Sequence, residues 1–164
     1  MNWQLKSFAQ LTNDELFSIL KLRCDIFVFE QNCAYPDIDQ HDRQGDTLHL
    51  MAFDTLKASN TIDPTRLAAY ARLLPPGSTF SDYSSIGRVV VGSEYRSQGL
   101  GHQLIQKAVE HNSDVWPGSD IKIGAQAHLT DFYHQHGFTI DGETYWEDGI
   151  LHQAMIRNKE AKLR

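Results

Sequence analysis

A short turn with two glycines is the segment of this sequence whose residue types and spacing could do chemistry. It reads Arg96-Ser97-Gln98-Gly99-Leu100-Gly101, follows a strand-like run that ends in Val89-Val90-Val91, and opens a helix-patterned segment that extends to Asn112. The first N–H groups of a helix have no partner within the helix, and the helix dipole adds partial positive charge there. Glycines let a bulky anion approach the main chain, and an arginine can add a charge-assisted hydrogen bond. The pattern therefore predicts a phosphate-binding turn.

Two common phosphate sites do not match this turn. A P-loop ends in Gly-Lys-Ser or Gly-Lys-Thr, and the dinucleotide fingerprint needs a third glycine where Leu104 stands. The turn instead resembles motif A of the Gcn5-related N-acetyltransferases, the GNAT superfamily, in which a strand is followed by (Arg/Gln)-x-x-Gly-x-(Gly/Ala). The resemblance implies that residues 96–101 hold the pyrophosphate of acetyl-CoA. It also implies that the backbone of Val89, Val90 and Val91 pairs with the pantetheine arm and polarises the thioester carbonyl.

A second segment, Ala127–Phe138, resembles the family's motif B, a short helix that carries Phe-Tyr and ends in Gly-Phe. Alternating apolar residues before it predict a strand from Ile121 to Ala127, and Gly137 suits the left-handed C-cap of the helix. The resemblance implies that Tyr133 is the general acid, since a phenol with a reference pKa of about 10 can protonate a departing thiolate. It also makes Gln126, which stands where many members carry asparagine, a cofactor contact. Without the resemblance, Tyr133 would be interpreted as a core aromatic with its hydroxyl at the surface.

Further pieces of the sequence resemble the ElaA-type branch of the superfamily, and the likeness extends over roughly residues 3 to 157. These pieces are Phe27–Tyr35, Ala71–Gly77, Ala125–Leu129 and Glu147–His152. The resemblance implies a GNAT acyl-CoA N-acyltransferase fold, an α/β (α+β) architecture in which a central mixed, twisted sheet is flanked by helices.

Local patterns predict the elements that must position these residues. Thr12-Asn13-Asp14-Glu15 is a capping box that starts a helix, whose face continues through Leu16, Ile19, Leu20 and Arg23. The polar stretches Lys57–Thr65 and Pro75–Ser85 are interpreted as loops. In addition to the strand before motif B, strands are predicted at Thr47–Asp54, Arg66–Leu73, Ser85–Val91, Phe138–Trp146 and Leu151–Arg157.

The acceptor side of such a reaction is less sharply defined by spacing. An amine that arrives as an ammonium ion must lose a proton, directly or through water. The residues that could take this proton are Glu30, His49, Asp148 and His152, and Arg72 joins them as a substrate-binding candidate. Five acids, Glu30, Asp37, Asp39, Asp42 and Asp46, are opposed in their span only by Arg43. They form either a solvated loop or an acidic rim that attracts a cationic amine.

Composition limits the remaining classes of protein. With 164 residues, of which 41% are hydrophobic, the chain has the length of one domain, predicted as residues 1–164. A formal net charge of −6 disfavours nucleic acid as a partner. The sequence shows neither a signal-peptide core nor a long apolar run, which favours a cytoplasmic protein without a membrane partner. Cys24 and Cys33 are expected to be buried or half-buried thiols, and the histidines lack the spacing of a metal site.

Three functions remain open. The first is an acetyl-CoA-dependent N-acetyltransferase that acetylates a primary amine of a small molecule or peptide, by direct attack in a ternary complex and without a metal. The second is a non-catalytic acyl-CoA-binding sensor or scaffold, against which Tyr133 favours the enzyme. The third is a transfer like that of acyl-homoserine-lactone synthases, which share the fold but typically lack a turn such as Arg96–Gly101. A homodimer is compatible with all three.

Overall fold

Two sheets and their flanking helices make up the mixed α/β architecture of the computed structural model, which describes residues 1–55 and 62–161. The strands are β1 Asn2–Ser7, β2 Leu48–Thr55, β3 Ile62–Leu74, β4 Ser85–Val91, β5 Ile121–Gln126, β6 Thr139–Glu147 and β7 Ile150–Arg157. The α-helices are α1 Asn13–Arg23, α2 Leu100–Val115 and α3 Thr130–His134. One sheet has the strand order β1-β2-β3-β4 and the other β5-β7-β6. The predicted fold class is therefore confirmed.

A parallel bridge adds to the antiparallel pairing of these strands. Ser84, just before β4, bridges Ile121 of β5 in parallel. The N–H of Ser84 donates to the carbonyl of Asp120 (3.2 Å), and the N–H of Lys122 donates to the carbonyl of Ser84 (2.9 Å). The described strands therefore include both antiparallel and parallel pairing, as the sequence predicts for a mixed sheet.

The chain folds as two compact units, each described here by itself. The first unit consists of Met1–Arg72 and Arg88–Leu104, and the second of Leu73–Gly87 and Ile105–Arg164. A single functional domain that spans residues 1–164 stays a prediction.

In the first unit, α1 begins with the predicted capping box. The N–H of Glu15 donates to Thr12 Oγ1 (3.2 Å), and the N–H of Thr12 donates to Glu15 Oε2 (2.9 Å). The helix continues into a π-helix, Cys24–Glu30. Buried apolar side chains from α1, the π-helix, β2, β3 and β4 form the core of this unit: Ile19, Ile26, Met51, Phe53, Leu67, Tyr70 and Val90. This packing fixes the π-helix beside the end of β4.

In the second unit, β5 shows the predicted alternation, because Ile121, Ile123 and Ala125 are buried. Gly137 follows α3 with φ +82°, the left-handed conformation that ends a helix. A two-residue turn, Asp148-Gly149, joins β6 to β7 with φ values of +49° and +79°. Two successive positive φ values define the type I′ hairpin turn, which Asp-Gly favours.

Several local expectations are wrong. The sequence pattern does not indicate β1, whose residues are all half-buried, so that its two faces differ too little in polarity to produce a clear alternation. Cys24 is exposed rather than buried, whereas Cys33 is buried as expected, and both are free thiols. Of the predicted loop Lys57–Thr65, residues 57–61 lie outside the described residues, and the rest belongs to β3.

None of the helices in the described ranges has the length and apolar character needed to cross a membrane.

Candidate active site

The predicted phosphate turn is exposed and lies at the start of a helix. β4 ends at Val91, a 3₁₀ turn covers Ser93–Tyr95, residues 96–99 form the turn, and α2 follows from Leu100. Gly99 has φ +74°, and a Cβ placed on it would meet no atom within 4 Å. Backbone N–H groups at a helix start are unpaired within the helix and attract anions. The open glycine and the helix start therefore fit the diphosphate of an acyl-CoA.

Arg96, the arginine of the turn, is already engaged in an ion pair. Its Nη1 and Nη2 donate to the two carboxylate oxygens of Glu30, at 2.7 Å and 3.1 Å, and its Nε donates to the carbonyl of Val91 at 3.2 Å. Both partners of the ion pair are about two-fifths exposed. The structure thus brings together two predicted site residues that lie far apart in sequence. A phosphate contact from Arg96 would have to compete with Glu30.

The strand before the turn contains a local irregularity. Arg88 has φ +52°, a left-handed conformation that is unusual for a residue with a side chain. The next three residues are the valines predicted to bind the pantetheine arm, and only Val90 is fully buried in the core, while Val89 and Val91 are half-buried. Arg88 is held by an ion pair from its Nε to Asp37 at 2.8 Å and by a second ion pair to Asp39 at 3.2 Å.

Three of the five acids between Glu30 and Asp46 are paired with arginines, so that they form neither a solvated loop nor a free acidic rim. Arg23 pairs with Asp37 at 2.8 Å and with Asp42 at 2.7 Å, although the side chains involved are almost fully buried. Arg72 pairs with Asp42 and Asp39, each at 2.7 Å. Burial alone would raise the pKa of Asp42, but the hydrogen bond and charge of Arg23, helped by Arg72, hold this pKa at about 2. Three aspartates and three arginines form an ion network without excess charge, in which all members are buried except Asp39 and Arg88, which are half-buried.

Two predicted substrate-binding residues belong to this network and its surroundings. Arg72 is 3% exposed and His49 is 1% exposed. His49 Nδ1 lies 2.8 Å from the Tyr70 hydroxyl and His49 Nε2 lies 3.1 Å from the carbonyl of Asp42, so both ring nitrogens are engaged. Burial lowers the pKa of His49 to about 4. Both side chains are enclosed in this structure, and their contact with the acceptor stays a prediction.

Tyr133 lies in α3 of the second unit, as expected. Its ring makes edge-on contacts with Phe132 and Phe138, with centroid distances of 5.1 Å and 5.7 Å. The residue is 7% exposed, and burial raises the pKa of its phenol. No hydrogen-bond partner for this hydroxyl is found among the described residues. A buried, protonated phenol is a proton donor that is available for chemistry.

The remaining candidates lie on or beside the β5-β7-β6 sheet. Gln126 is the last residue of β5 and is paired in register with His152 of β7. His152 is half-buried, and its Nδ1 lies 2.9 Å from the carbonyl of Ile150. Asp148 is exposed in the hairpin turn, where the turn conformation accounts for its residue type. Within the described ranges, no three His, Cys, Asp or Glu side chains are grouped as a metal site requires.

The sequence pattern does not single out Arg23, Arg88 or Tyr145 as functional residues. A signal for Arg23 was present, because an arginine on the apolar face of α1 indicates a buried charge that needs partners. Tyr145 could have been found from the Asp-Gly turn, whose two-residue loop sets the register that pairs Tyr145 with His152. For Arg88, whose partners depend on long-range contacts, we find no local signal.

Comparisons with known proteins identify the family of this chain. The family model described as "Acetyltransferase (GNAT) domain" matches residues 63–159. Protein ElaA of Escherichia coli K12 is 38% identical over 157 residues, which cover 96% of each chain. Its crystal structure matches with a TM-score of 0.84 and 37% identity, over 96% of this chain and 100% of that one. An acyl-CoA N-acyltransferase from Pseudomonas aeruginosa matches with a TM-score of 0.85 and 41% identity, over 96% of this chain and 99% of that one.

These matches define the class as the acyl-CoA-dependent acyltransferases. The chain belongs to the GNAT family and, within it, is similar to ElaA. The family resemblance of the sequence and the enzyme class are therefore confirmed. A CoA-dependent acyl-homoserine lactone synthase, BjaI, also matches with a TM-score of 0.70, over 93% of this chain and 80% of that one, but at 22% identity it is evidence for a shared fold alone.

Proposed function

We propose that this protein is an N-acetyltransferase that transfers the acetyl group of acetyl-CoA to a primary amine of a small molecule or peptide, by direct attack in a ternary complex. One observation carries the proposal most: a chain of the GNAT family has an exposed glycine turn at the start of α2, with open space where a Cβ of Gly99 would lie. A diphosphate needs this combination of exposed N–H groups and close backbone approach.

Each part of acetyl-CoA has a proposed partner in the chain. The pyrophosphate lies on the backbone of residues 96–101, and the pantetheine arm pairs with the backbone of Val89, Val90 and Val91. The half-burial of Val89 and Val91 supports this, since a fully enclosed strand would have no edge or face for a ligand. Gln126 contributes a side-chain contact at the end of β5.

The chemical step forms one bond and breaks another. The lone pair of the acceptor nitrogen attacks the thioester carbonyl, the C–N bond forms, and the C–S bond breaks with the electron pair left on sulfur. Tyr133 donates its proton to that thiolate, and the proton that the nitrogen loses as the amide forms neutralises the phenolate, so that a free amine and acetyl-CoA give the amide and the CoA thiol. The burial that raises the pKa of Tyr133 keeps it protonated at neutral pH, and the same desolvation favours the neutral thiol over the thiolate.

The proposal also covers the localisation, domain organisation and oligomeric state of the enzyme. We place it in the cytoplasm as one functional domain over residues 1–164, with a homodimer as its assembly. The mechanism requires neither a metal nor a nucleic-acid partner. Size-exclusion chromatography with light scattering tests the assembly, and a monomeric mass would contradict it.

The experiment that tests the activity is a panel of primary amines and amino-terminal peptides, incubated with the protein and acetyl-CoA. Released CoA thiol and the mass of the acetylated product are measured together. We expect at least one amine to give both signals in equal amounts. If acetyl-CoA binds but no member of a broad panel is acetylated, the sensor or scaffold function is supported instead.

A further inference from the structure

The acceptor amine needs a base that removes its proton, and the structure favours one of the four candidates for this base. The choice of base rests on the proposed function. Glu30 is engaged by both terminal nitrogens of Arg96, and His49 is enclosed with both ring nitrogens occupied. Asp148 is at the tip of the β6–β7 hairpin, where its backbone conformation is required by the turn. His152 is the candidate that combines partial access with an ordered position in a sheet.

His152 lies in the middle strand of the β5-β7-β6 sheet, between two paired residues. It is opposite Gln126 of β5 on one side and opposite Tyr145 of β6 on the other. Residues that are directly paired in antiparallel strands have their side chains on the same face of the sheet. Gln126, His152 and Tyr145 therefore form a row across one face, and Gln126 is the proposed cofactor contact.

The hydrogen bond of His152 determines which ring nitrogen can act as a base. Nδ1 lies 2.9 Å from the carbonyl oxygen of Ile150, an acceptor, so that Nδ1 must carry the proton of the neutral ring. Nε2 then holds a lone pair, and no hydrogen-bond partner for Nε2 is found among the described residues. A neutral imidazole with Nδ1–H fixed by a backbone carbonyl is the form in which histidine accepts a proton at Nε2.

The ring of Tyr145 packs against the face of the His152 imidazole. The two rings are stacked with centroids 5.9 Å apart and an interplanar angle of 26°. The tyrosine hydroxyl lies over β5, 2.5 Å from where a Cβ of Gly124 would be, so that glycine at this position leaves room for the tyrosine. The ring of His152 is thus oriented by a hydrogen bond in its plane and by a stacked ring on its face.

From this geometry we propose that His152 is the general base that takes the proton of the acceptor ammonium at Nε2. The nitrogen that loses the proton gains the lone pair with which it attacks the thioester, and His152 becomes a cation stacked on Tyr145. A cation over the face of a tyrosine ring is attracted by the ring electrons. Tyr145 is then a positioning residue that orients the ring of His152.

Ionisable side chains on the elements beside β7 could affect the proton transfer to His152. They are Lys122, Glu143, Glu147, Asp148 and His128. Lys122 pairs with Asp141 at 2.7 Å. His128 is exposed in the 3₁₀ turn Ala127–Leu129 and provides a matched control, since its replacement removes a histidine close by without touching the sheet face.

The test compares His152→Gln with His128→Gln and wild type, using two acceptors at saturating acetyl-CoA. The first acceptor is the fastest alkylamine of the panel described above, which is almost wholly ammonium at pH 7. The second is its 2,2-difluoro analogue, nearly the same size but far less basic. We expect kcat/KM of His152→Gln to fall by about 10²-fold with the alkylamine and by much less with the fluorinated amine, of which a far larger fraction is already free amine at pH 7.

The pH profile provides a second readout that a structural role would not change. In His152→Gln, kcat/KM for the alkylamine should keep rising by about tenfold per pH unit towards the pKa of the amine, because only the free amine attacks. Wild type and His128→Gln should level off at lower pH. The Kd for acetyl-CoA and the melting temperature should be unchanged in both variants.

Equal losses with the two amines, or an unchanged pH profile, would overturn the role of His152 and leave the proposed function in place. A panel without any acetylated product would contradict the N-acetyltransferase and this base together. Tyr145→Phe, which keeps the stacked ring, should retain the wild-type profile, whereas Tyr145→Ala should lose part of the activity with the alkylamine.

Discussion

Tyr133 illustrates how burial prepares a single residue for chemistry. Its phenol is almost enclosed by aromatic neighbours, and burial raises its pKa, so the proton that the proposed general acid would donate is retained at neutral pH. Tyr133→Phe keeps the ring and its packing but removes this proton. We expect kcat to fall by about 10²-fold and the Kd for acetyl-CoA to stay the same.

Steady-state kinetics and calorimetry of the same preparation measure the two quantities. Tyr83→Phe, at a half-buried tyrosine in the loop before β4, is the matched control and should behave as wild type. Full turnover in Tyr133→Phe would show that the tyrosine is a packing residue only.

The Glu30–Arg96 ion pair leads to a second prediction at the residue scale. Exposed ion pairs contribute about 0–1 kcal/mol, so a diphosphate can displace this one easily. Glu30→Gln removes a negative charge beside an anion site and frees the arginine. We expect acetyl-CoA to bind up to about fivefold more tightly. Weaker binding would mean that Glu30 positions Arg96 for the cofactor.

The control is Glu94→Gln, which makes the same change of charge in the exposed 3₁₀ turn next to the phosphate turn. If both variants tighten binding equally, the effect comes from net charge and not from the release of Arg96. Titration at two salt concentrations separates these explanations further, because long-range effects are screened over about 10 Å at 0.1 M salt.

The buried ion network determines the structure of the loop that follows the π-helix. Asp42 accepts hydrogen bonds from Arg23, from Arg72 and from the N–H of Asp39. Asp42→Asn leaves two buried guanidinium groups without their shared carboxylate. We expect a loss of about 3 kcal/mol in the free energy of unfolding, measured with urea at pH 7. Asp46→Asn, an exposed residue in the same loop, should change it by no more than about 0.5 kcal/mol.

The pH dependence of stability gives the same prediction a second measurement. The pKa of Asp42 is about 2 in the folded protein, below its usual value of 3.8. A lowered carboxyl pKa contributes stability that is complete above the unfolded pKa and is lost as the pH falls through the folded pKa. Wild type should therefore lose stability between about pH 4 and pH 2, and Asp42→Asn should lose less in this window. Parallel curves would contradict the role of Asp42.

Structural elements were predictable where the residues that determine them lie close together in the sequence. The capping box at Thr12, the alternation in β5 and the glycine turn at residues 96–101 depend on neighbours in sequence, and all three are confirmed. The arginine partners of Asp37 and Asp42 were not predictable, because these contacts join segments that are brought together only by packing of the core. For the same reason the acidic run was misinterpreted, since spacing along one loop does not show which distant cations neutralise it.

At the scale of the whole molecule, the chain matches its relatives over almost its entire length. The match to ElaA covers 96% of both chains, so the phosphate turn, Tyr133 and the β6–β7 hairpin all lie within an alignment that extends nearly from end to end. The formal net charge of −6 does not mark an acceptor site, because the aspartates at 37, 39 and 42 are paired internally. Because three arginines balance these three aspartates, the excess of negative charge comes from other residues, and under the proposed mechanism His152 is the group that meets the acceptor.

The most direct test of the account is whether acetyl-CoA binds at the turn before α2. Calorimetric titration should compare wild type with Gly99→Val, and with Gly142→Val as the matched control. Both glycines have a positive φ and no atom within 4 Å of a built Cβ, so both variants place a valine in the left-handed region without a clash at the Cβ. We predict that Gly99→Val weakens binding of acetyl-CoA at least about tenfold, or about 1.4 kcal/mol, while Gly142→Val binds as wild type does. A folded Gly99→Val protein with unchanged affinity would contradict the central claim that this turn holds the diphosphate.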